Sequence, residues 1–506
     1  MRRLEARSGP LIALLAAGLA TGLACRKDPR SLTIALPYEV DSLDPHAADR
    51  LSAFAVLFNA YEGLVDVDAD LRTRAALAVT WESPDPLTWI FHLRPGVTFH
   101  SGRRLRAADV VYSFERVRRD AALQAGNFAK DLAEVEAVGE LSVRVKTHSP
   151  CRVLLAKLRH IAIVPEGATA KTLELGSDGT GPYALAPGQP RQDVVLRRHA
   201  AYWGNAPPMA EARLVLGRSP EQAMAGLHAA RYQLVKCDSR GAAGAGRFAV
   251  KSRDSLYLKY LAFDLVRDVT PGFEAGPNPF RDPRVRRAVS LGIDRGRLAT
   301  LLTSDAHVAT QPIPRAVFGF DAGIAAPALD REGARALLRE AGFPDGFQVV
   351  FHARPFARDA APAIGDDLRQ VGIRTSLRFV SDVEHFELLA RKGVTLWLTR
   401  IGCATGDASE LFEDLIHTPV SGGRFGSLND GGYSNPRLDA VIERSVAIEE
   451  PAHRLDAFHE ITRAIMADTV IVPLYIDRDL YALAAGVAWE PRADSEMRVA
   501  DIALTR

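Results

Sequence analysis

Cysteine is scarce and no charge sign dominates: the 506 residues hold four cysteines, and 63 Lys plus Arg offset 62 Asp plus Glu. A balance this near neutral leaves no concentrated basic face, which argues against nucleic acid as a partner. No C-x-x-C pair occurs, so zinc-ribbon and thioredoxin-like chemistry have no support. The thirteen histidines form no H-x-H and no H-E-x-x-H, and His453 and His459 stand off register for a single helix face. Neither a metal nor a cofactor is expected. There is no G-x-S-x-G nucleophile elbow. The carboxylate pairs Asp366-Asp367 and Glu449-Glu450 are adjacent on helices, point apart, and read as solvated surface. Gly241 to Gly246 has no strand-and-helix context for a phosphate cradle and reads as a loop. Catalysis is therefore not expected, and neither internal repeats nor low-complexity segments are visible.

What is present is length and apolar content. With 47% apolar residues, the chain can bury more than one core. Arg2, Arg3 and Arg7 precede an apolar run from Leu11 to Leu23, the pattern of an export signal over residues 1–24. The run is short for a membrane span, and Arg26-Lys27-Asp28 follows directly. Leu19 to Cys25 resembles the small-residue box of bacterial lipoproteins, which makes Cys25 the expected lipidation site and 25–30 a polar tether. Cleavage at Ala24 and an uncleaved anchor are the alternatives. Without Cys25 the remaining cysteines, Cys151, Cys237 and Cys403, are odd in number, leaving one disulfide or isolated buried thiols.

The most informative stretch is Trp81 to Val117, WESPDPLTWIFHLRPGVTFHSGRRLRAADVVYSFERV. Trp89, Phe91 and Leu93 alternate with Ile90, His92 and Arg94 as in a half-buried strand, and Pro95-Gly96 breaks it. Val97 to Phe99 is expected to return as the second arm of a hairpin. From about Ala107 the period becomes helical, with Val110, Phe114 and Val117 in one stripe. Further on, Asp282-Pro283 and Asn435-Pro436 each set a capping residue before a proline at the first helical position. Asp330 caps a helix with an apolar stripe at Ala334, Leu337, Leu338 and Ala341, which Gly342 stops.

The LRPGV turn and the A-x-D-V-V-Y-S helix resemble the signature of family-5 extracellular solute-binding proteins, the peptide- and nickel-type receptors of ABC importers. Other pieces follow in the same order: Glu39 to Pro45 for E-V-x-S-L-D-P, Tyr61 to Leu64 for Y-E-G-L, Gly179 to Tyr183 for G-T-G-P-Y, and Tyr202-Trp203-Gly204. Pro279 to Ala288, Ala334 to Gly346 and Tyr433 to Asp439 complete the series, so the resemblance runs from about Ile34 to Tyr475. It implies an α/β, periplasmic-binding-protein-like fold (type II, cluster C-like). Such a fold has two lobes, a hinge of two crossing strands, and an extra small α/β subdomain in the first lobe. On that plan 31–74 and 166–256 are the first lobe, 75–165 the small subdomain, 257–476 the second lobe, and 477–506 the return. Tyr257 to Asp264 and Val470 to Ile476 would be the crossings.

The resemblance also implies the function: a small solute, peptide or other, is captured between the lobes and delivered to the permease subunits of an ABC importer. The protein would be a monomer in the periplasm or cell envelope, tethered to the membrane by lipid. In peptide-binding relatives a G-W-x-x-D segment supplies an aspartate for the ligand's amino group. Laid over this chain it falls on Arg400, Ile401, Gly402, Cys403 and Ala404, with Ala404 in place of the aspartate. Losing that carboxylate predicts an anionic or less charged solute, with Arg400 as anion contact or, alternatively, packed in a structural role. Glu39, Val40, Asp407 and Tyr475 are further candidate cleft residues. The competing expectation is a receptor-like domain that has lost solute capture and binds a partner protein.

Overall fold

Two strands are much longer than the rest, and they organise the molecule. The computed structural model describes residues 31–505 except 39, 49–50, 177, 187–192, 274–275, 303–304 and 422–424. Within it, Ala249–Phe263 and Val472–Leu483 run antiparallel and pair with each other along both ends. The far half of the first, Leu258 to Phe263, also pairs with Leu396–Ile401, beyond which lie Phe347–Ala353 and Ile373–Phe379. The far half of the second, Leu480 to Leu483, pairs with Leu234–Cys237, followed by Ser31–Ala35, Glu211–Val215, Asp193–Arg198 and Tyr183–Leu185. The two long strands are thus the shared centre of one sheet whose wings belong to different lobes.

Each wing has its own core. Ile34, Leu57, Tyr61, Leu196 and Leu214 pack together in the first lobe, joined from the chain's end by Trp489, Met497, Val499 and Ile502. The second lobe packs both sheet faces, with Phe263, Phe280, Val349 and Ile364 on one side and Trp397, Phe412, Phe458 and Ile461 on the other. A third core, around Phe91, Phe99, Val110 and Phe114, belongs to a separate four-stranded sheet and the helix Ala107–Arg119.

The caps read from the sequence are in place. Asp282 accepts from the Arg284 N–H, Asp330 from Gly333, and Asn435 from Arg437 and Leu438. Several expectations need correction. Thr88–Leu93 does pair in a hairpin, but its partner is the preceding strand Ala78–Asp85, while Val97 to Phe99 makes a single bridge from Thr98 to Arg104. The true partner is a largely exposed edge strand containing Pro84, so it lacks the apolar alternation that marks a buried strand. Of Gly241 to Gly246, read as loop, Gly241 to Ala243 belong to the short helix Ser239–Ala243, which Asp238 caps through the Gly241 N–H, while 244–246 lie outside helix and strand. Asp367 is not solvated surface. It is buried against Arg297 at 2.9 Å and Arg331 at 3.2 Å, while Asp366 faces outward. The first crossing strand begins at Ala249 rather than Tyr257, and the second runs to Leu483 rather than ending at Ile476.

Cys151, Cys237 and Cys403 are buried thiols. Residues 1–30, with the export signal and Cys25, lie outside the described residues. Among those described, no helix is long and apolar enough to cross a membrane.

Candidate functional site

The ladder between the crossing strands is regular from Ala249/Leu483 to Asp254/Arg478 and resumes at Leu258/Ile476, with a register shift between. A bulge there leaves backbone unpaired and bends the strand where it passes from lobe to lobe. Leu256 and Tyr257, in that irregular segment, form part of the wall of a cavity of about 340 Å³ lying between the lobes.

The first-lobe wall is aromatic. Phe54 and Phe128 flank His160, whose ring stacks on Phe128 at 4.4 Å between centroids. Burial, reinforced by the neighbouring Arg159 charge, pushes His160 down to about 3, so the imidazole is neutral. Its Nε2 lies 3.4 Å from the Ala404 carbonyl oxygen, a contact across the gap, and its buried Nδ1 has no hydrogen-bond partner among the described residues. The floor is charged but internally balanced. Arg159 binds Glu496 at 2.5 Å, Arg498 binds Glu496 at 2.7 Å and Asp66 at 3.0 Å, and Arg492 binds Asp494 at 2.7 Å.

The second-lobe wall is Tyr257, Gly402, Cys403, Ala404, Glu410 and Leu428. Gly402 is required by close approach, since a β-carbon there would lie 2.9 Å from Tyr257 Cε1. Burial pushes the Cys403 thiol well above its ordinary range, and its Sγ donates to the Asp407 carbonyl at 3.2 Å. It therefore lines the cavity as a protonated thiol. Glu410 Oε2 accepts from the Thr405 N–H at 2.8 Å and the Thr405 hydroxyl at 2.7 Å.

Of the residues singled out in the sequence, Gly402 and Cys403 line this cavity. Arg400 and Ile401 line a neighbouring one of about 250 Å³ inside the second lobe, which meets the first at Gly402 and Leu428. Arg400 is exposed, with its guanidinium over the Phe356 ring at 5.1 Å and the Tyr257 ring at 5.7 Å. Three candidates are placed elsewhere. Val40 is in the first-lobe core. Tyr475 is 2% exposed and packs in the second-lobe core. Asp407 is held by Arg454 through two bonds of 2.6 and 2.9 Å, which ties the loop to the helix Pro451–Asp468. Glu39 lies outside the described residues. Phe128, His160, Tyr257 and Glu410 were not found by sequence reasoning, because their meeting depends on contacts between distant segments that no local pattern encodes. No cluster of His, Cys, Asp and Glu able to hold a metal occurs among the described residues.

Comparison with known proteins supplies the context. The model of bacterial extracellular solute-binding proteins, family 5, middle region, matches residues 72–422. The glutathione-binding protein GsiB of Pectobacterium atrosepticum is 25% identical over 492 residues, covering 92% of each chain. GsiB of Escherichia coli O1:K1 is 25% identical over 505 residues, covering 94% of each. Among solved structures, periplasmic binding protein DppA from Helicobacter pylori, in complex with the peptide STSA, superposes with a TM-score of 0.81 at 18% identity, covering 94% of this chain and 98% of that one. AgaA from A. tumefaciens R10, in complex with agropinic acid, does so at 0.78 and 20% identity, covering 94% and 99%. The mixed α/β architecture is thus that of type II periplasmic binding proteins.

Proposed function

Since the chain belongs to the bacterial extracellular solute-binding proteins of family 5, the binding component of an ABC importer, we propose that its solute is a small peptide or an amino-acid derivative of similar size. The observation that carries this reading is the cavity itself. It is walled by both lobes, it is not filled by the protein's own side chains, and its volume lies at the lower end of the range for small-molecule sites. An open gap of that kind favours solute capture over a receptor-like domain that binds only a partner protein. A ligand touching both lobes binds the closed arrangement better and shifts the population toward it. The permease subunits would then recognise the closed form. Tyr257, Gly402, Cys403, His160 and Phe128 would be the contact residues, with Arg400 available at the adjoining cavity for an anionic end of the solute. We assign Cys25 as the lipidated residue that tethers a monomer at the cell envelope.

Two experiments test this. Reduced glutathione and a randomised tripeptide pool, added to protein stripped by unfolding and refolding, should raise the melting temperature by several degrees at saturating solute. No shift with these or with an extract of small metabolites would overturn the capture reading. Cys25→Ser should move the protein from the membrane fraction to the soluble envelope fraction, and an unchanged distribution would refute the tether.

A further inference from the structure

We infer that the solute carries an ammonium or other cationic group, and that Glu410 is the carboxylate that binds it. The inference rests on the solute-capture reading above and names the chemistry of the same cavity.

Most charged groups lining the cavity are already paired. Arg159 is committed to Glu496, and Asp494 to Arg492. A second cavity, sharing Asn127, Phe128, Glu410 and Leu428 with the first, also meets Lys157, whose ammonium is 2.6 Å from Asp131 and 3.8 Å from Glu413, and Lys130, which is exposed to solvent. His160 is neutral. Glu410 alone of the carboxylates lining the main cavity has no ion pair with Lys, Arg or His among the described residues; it accepts from the two Thr405 donors, both on Oε2, and from the Ala404 backbone. Burial raises its pKa, and the nearby Asp414 charge adds to that. Glu410 is therefore a carboxylate without an ion-pair partner among the described residues, at a junction of two cavities.

The surroundings suit a cation. Phe54, Phe128 and Tyr257 line the same space as Glu410, and aromatic faces attract positive charge. Closing the lobes over a neutral or anionic solute would leave Glu410 desolvated and unpaired, which is costly. Closing over an ammonium replaces lost water with a charge-assisted hydrogen bond. Ala404 contributes no charge to the lining, so positive-end recognition falls to a side chain on the next turn of chain rather than to the loop itself. Thr405 holds the carboxylate through Oε2.

The test compares a randomised tripeptide pool with free amino termini and without Lys, Arg or His, the same pool N-acetylated, and a pool of neutral and anionic metabolites. Each is added to the wild-type protein, Glu410→Gln and Glu410→Asp, with binding read by native mass spectrometry and titration calorimetry. Far-UV circular dichroism and the ligand-free melting temperature check that each variant is folded. The expected result is retention of cationic solutes by the wild type, a loss of about tenfold to a hundredfold in affinity in Glu410→Gln, and partial retention in Glu410→Asp. A solute that binds the wild type equally well when acetylated, or binds folded Glu410→Gln as tightly as wild type, overturns the inference while leaving the capture reading intact. Absence of any bound solute in all three pools defeats the capture reading, and this inference with it.

Discussion

Glu62 joins three sequence landmarks that lie far apart in the chain. Its Oε2 accepts from the Thr180 hydroxyl at 2.9 Å and the Trp203 indole at 3.0 Å, and its Oε1 from the Tyr202 hydroxyl at 2.9 Å. The Y-E-G, G-T-G-P-Y and Y-W-G pieces therefore hold the first lobe together and do not line the solute cavity. Burial, only partly offset by these three donors, pushes Glu62 up from 4.5 to about 7. Because the folded value is raised, the folded state keeps a proton that the unfolded chain releases between those two values, and stability falls as pH rises through that window. Urea unfolding of the wild type should lose on the order of 3 kcal/mol between pH 4.5 and 8 from this group. Glu62→Gln, whose amide oxygen can keep the Trp203 and Thr180 bonds, should flatten that dependence. At Gly402, substitution by Ala should push the Tyr257 ring and lower solute affinity several-fold in calorimetry, with the circular dichroism spectrum unchanged.

Among the elements, the loop that walls the cavity is tied to the longest helix by one ion pair. Arg454 and Asp407 are both mostly buried, and their two-pronged geometry fixes the loop from Cys403 to Glu410. Arg454→Ala leaves Asp407 buried and unpaired, so it should cost roughly 3–5 kcal/mol in chemical unfolding. Arg454→Lys should recover only part of that, because a point charge cannot make both bonds. At the start of the helix Ala107–Arg119, Arg106 gives no side-chain cap, and Asp109 instead accepts from the Arg106 N–H at 2.9 Å. Arg106→Thr should add about 1 kcal/mol of stability with no change in solute binding.

These elements also show what a single sequence can and cannot reveal. Helix starts at Asp282, Asp330 and Asn435 were legible because the cap and the proline or glycine that signal them are within a few residues of each other. The hairpin partner of Thr88–Leu93 was not, because its exposed edge carries no buried face to read. Asp367 misled because adjacency implies opposite directions, and one of those directions is inward. Of the site, Gly402 and Cys403 were found through the family motif. His160 and Glu410 were not, because a residue becomes part of a cleft only when two lobes meet, and that meeting is set by contacts such as His160 to Ala404 across more than two hundred positions of chain.

For the whole molecule, the arrangement is two cored bodies sharing one sheet through two strands that lose register where they pass between them. Among the described residues, ties across the gap include the His160–Ala404 contact, the 3.8 Å approach of Lys157 to Glu413, Leu71 packed against the second-lobe core, and an exposed pair between Arg152 and Glu449. The exposed pair contributes little, and a bound solute touching both walls would add to what holds the lobes shut. Small-angle scattering on protein stripped of solute, before and after adding a solute that raises its melting temperature, tests this most directly. The account predicts a smaller radius of gyration on binding, with wild-type secondary structure throughout. Tight binding with unchanged scattering would contradict capture by closure about the bulge between Asp254 and Leu258.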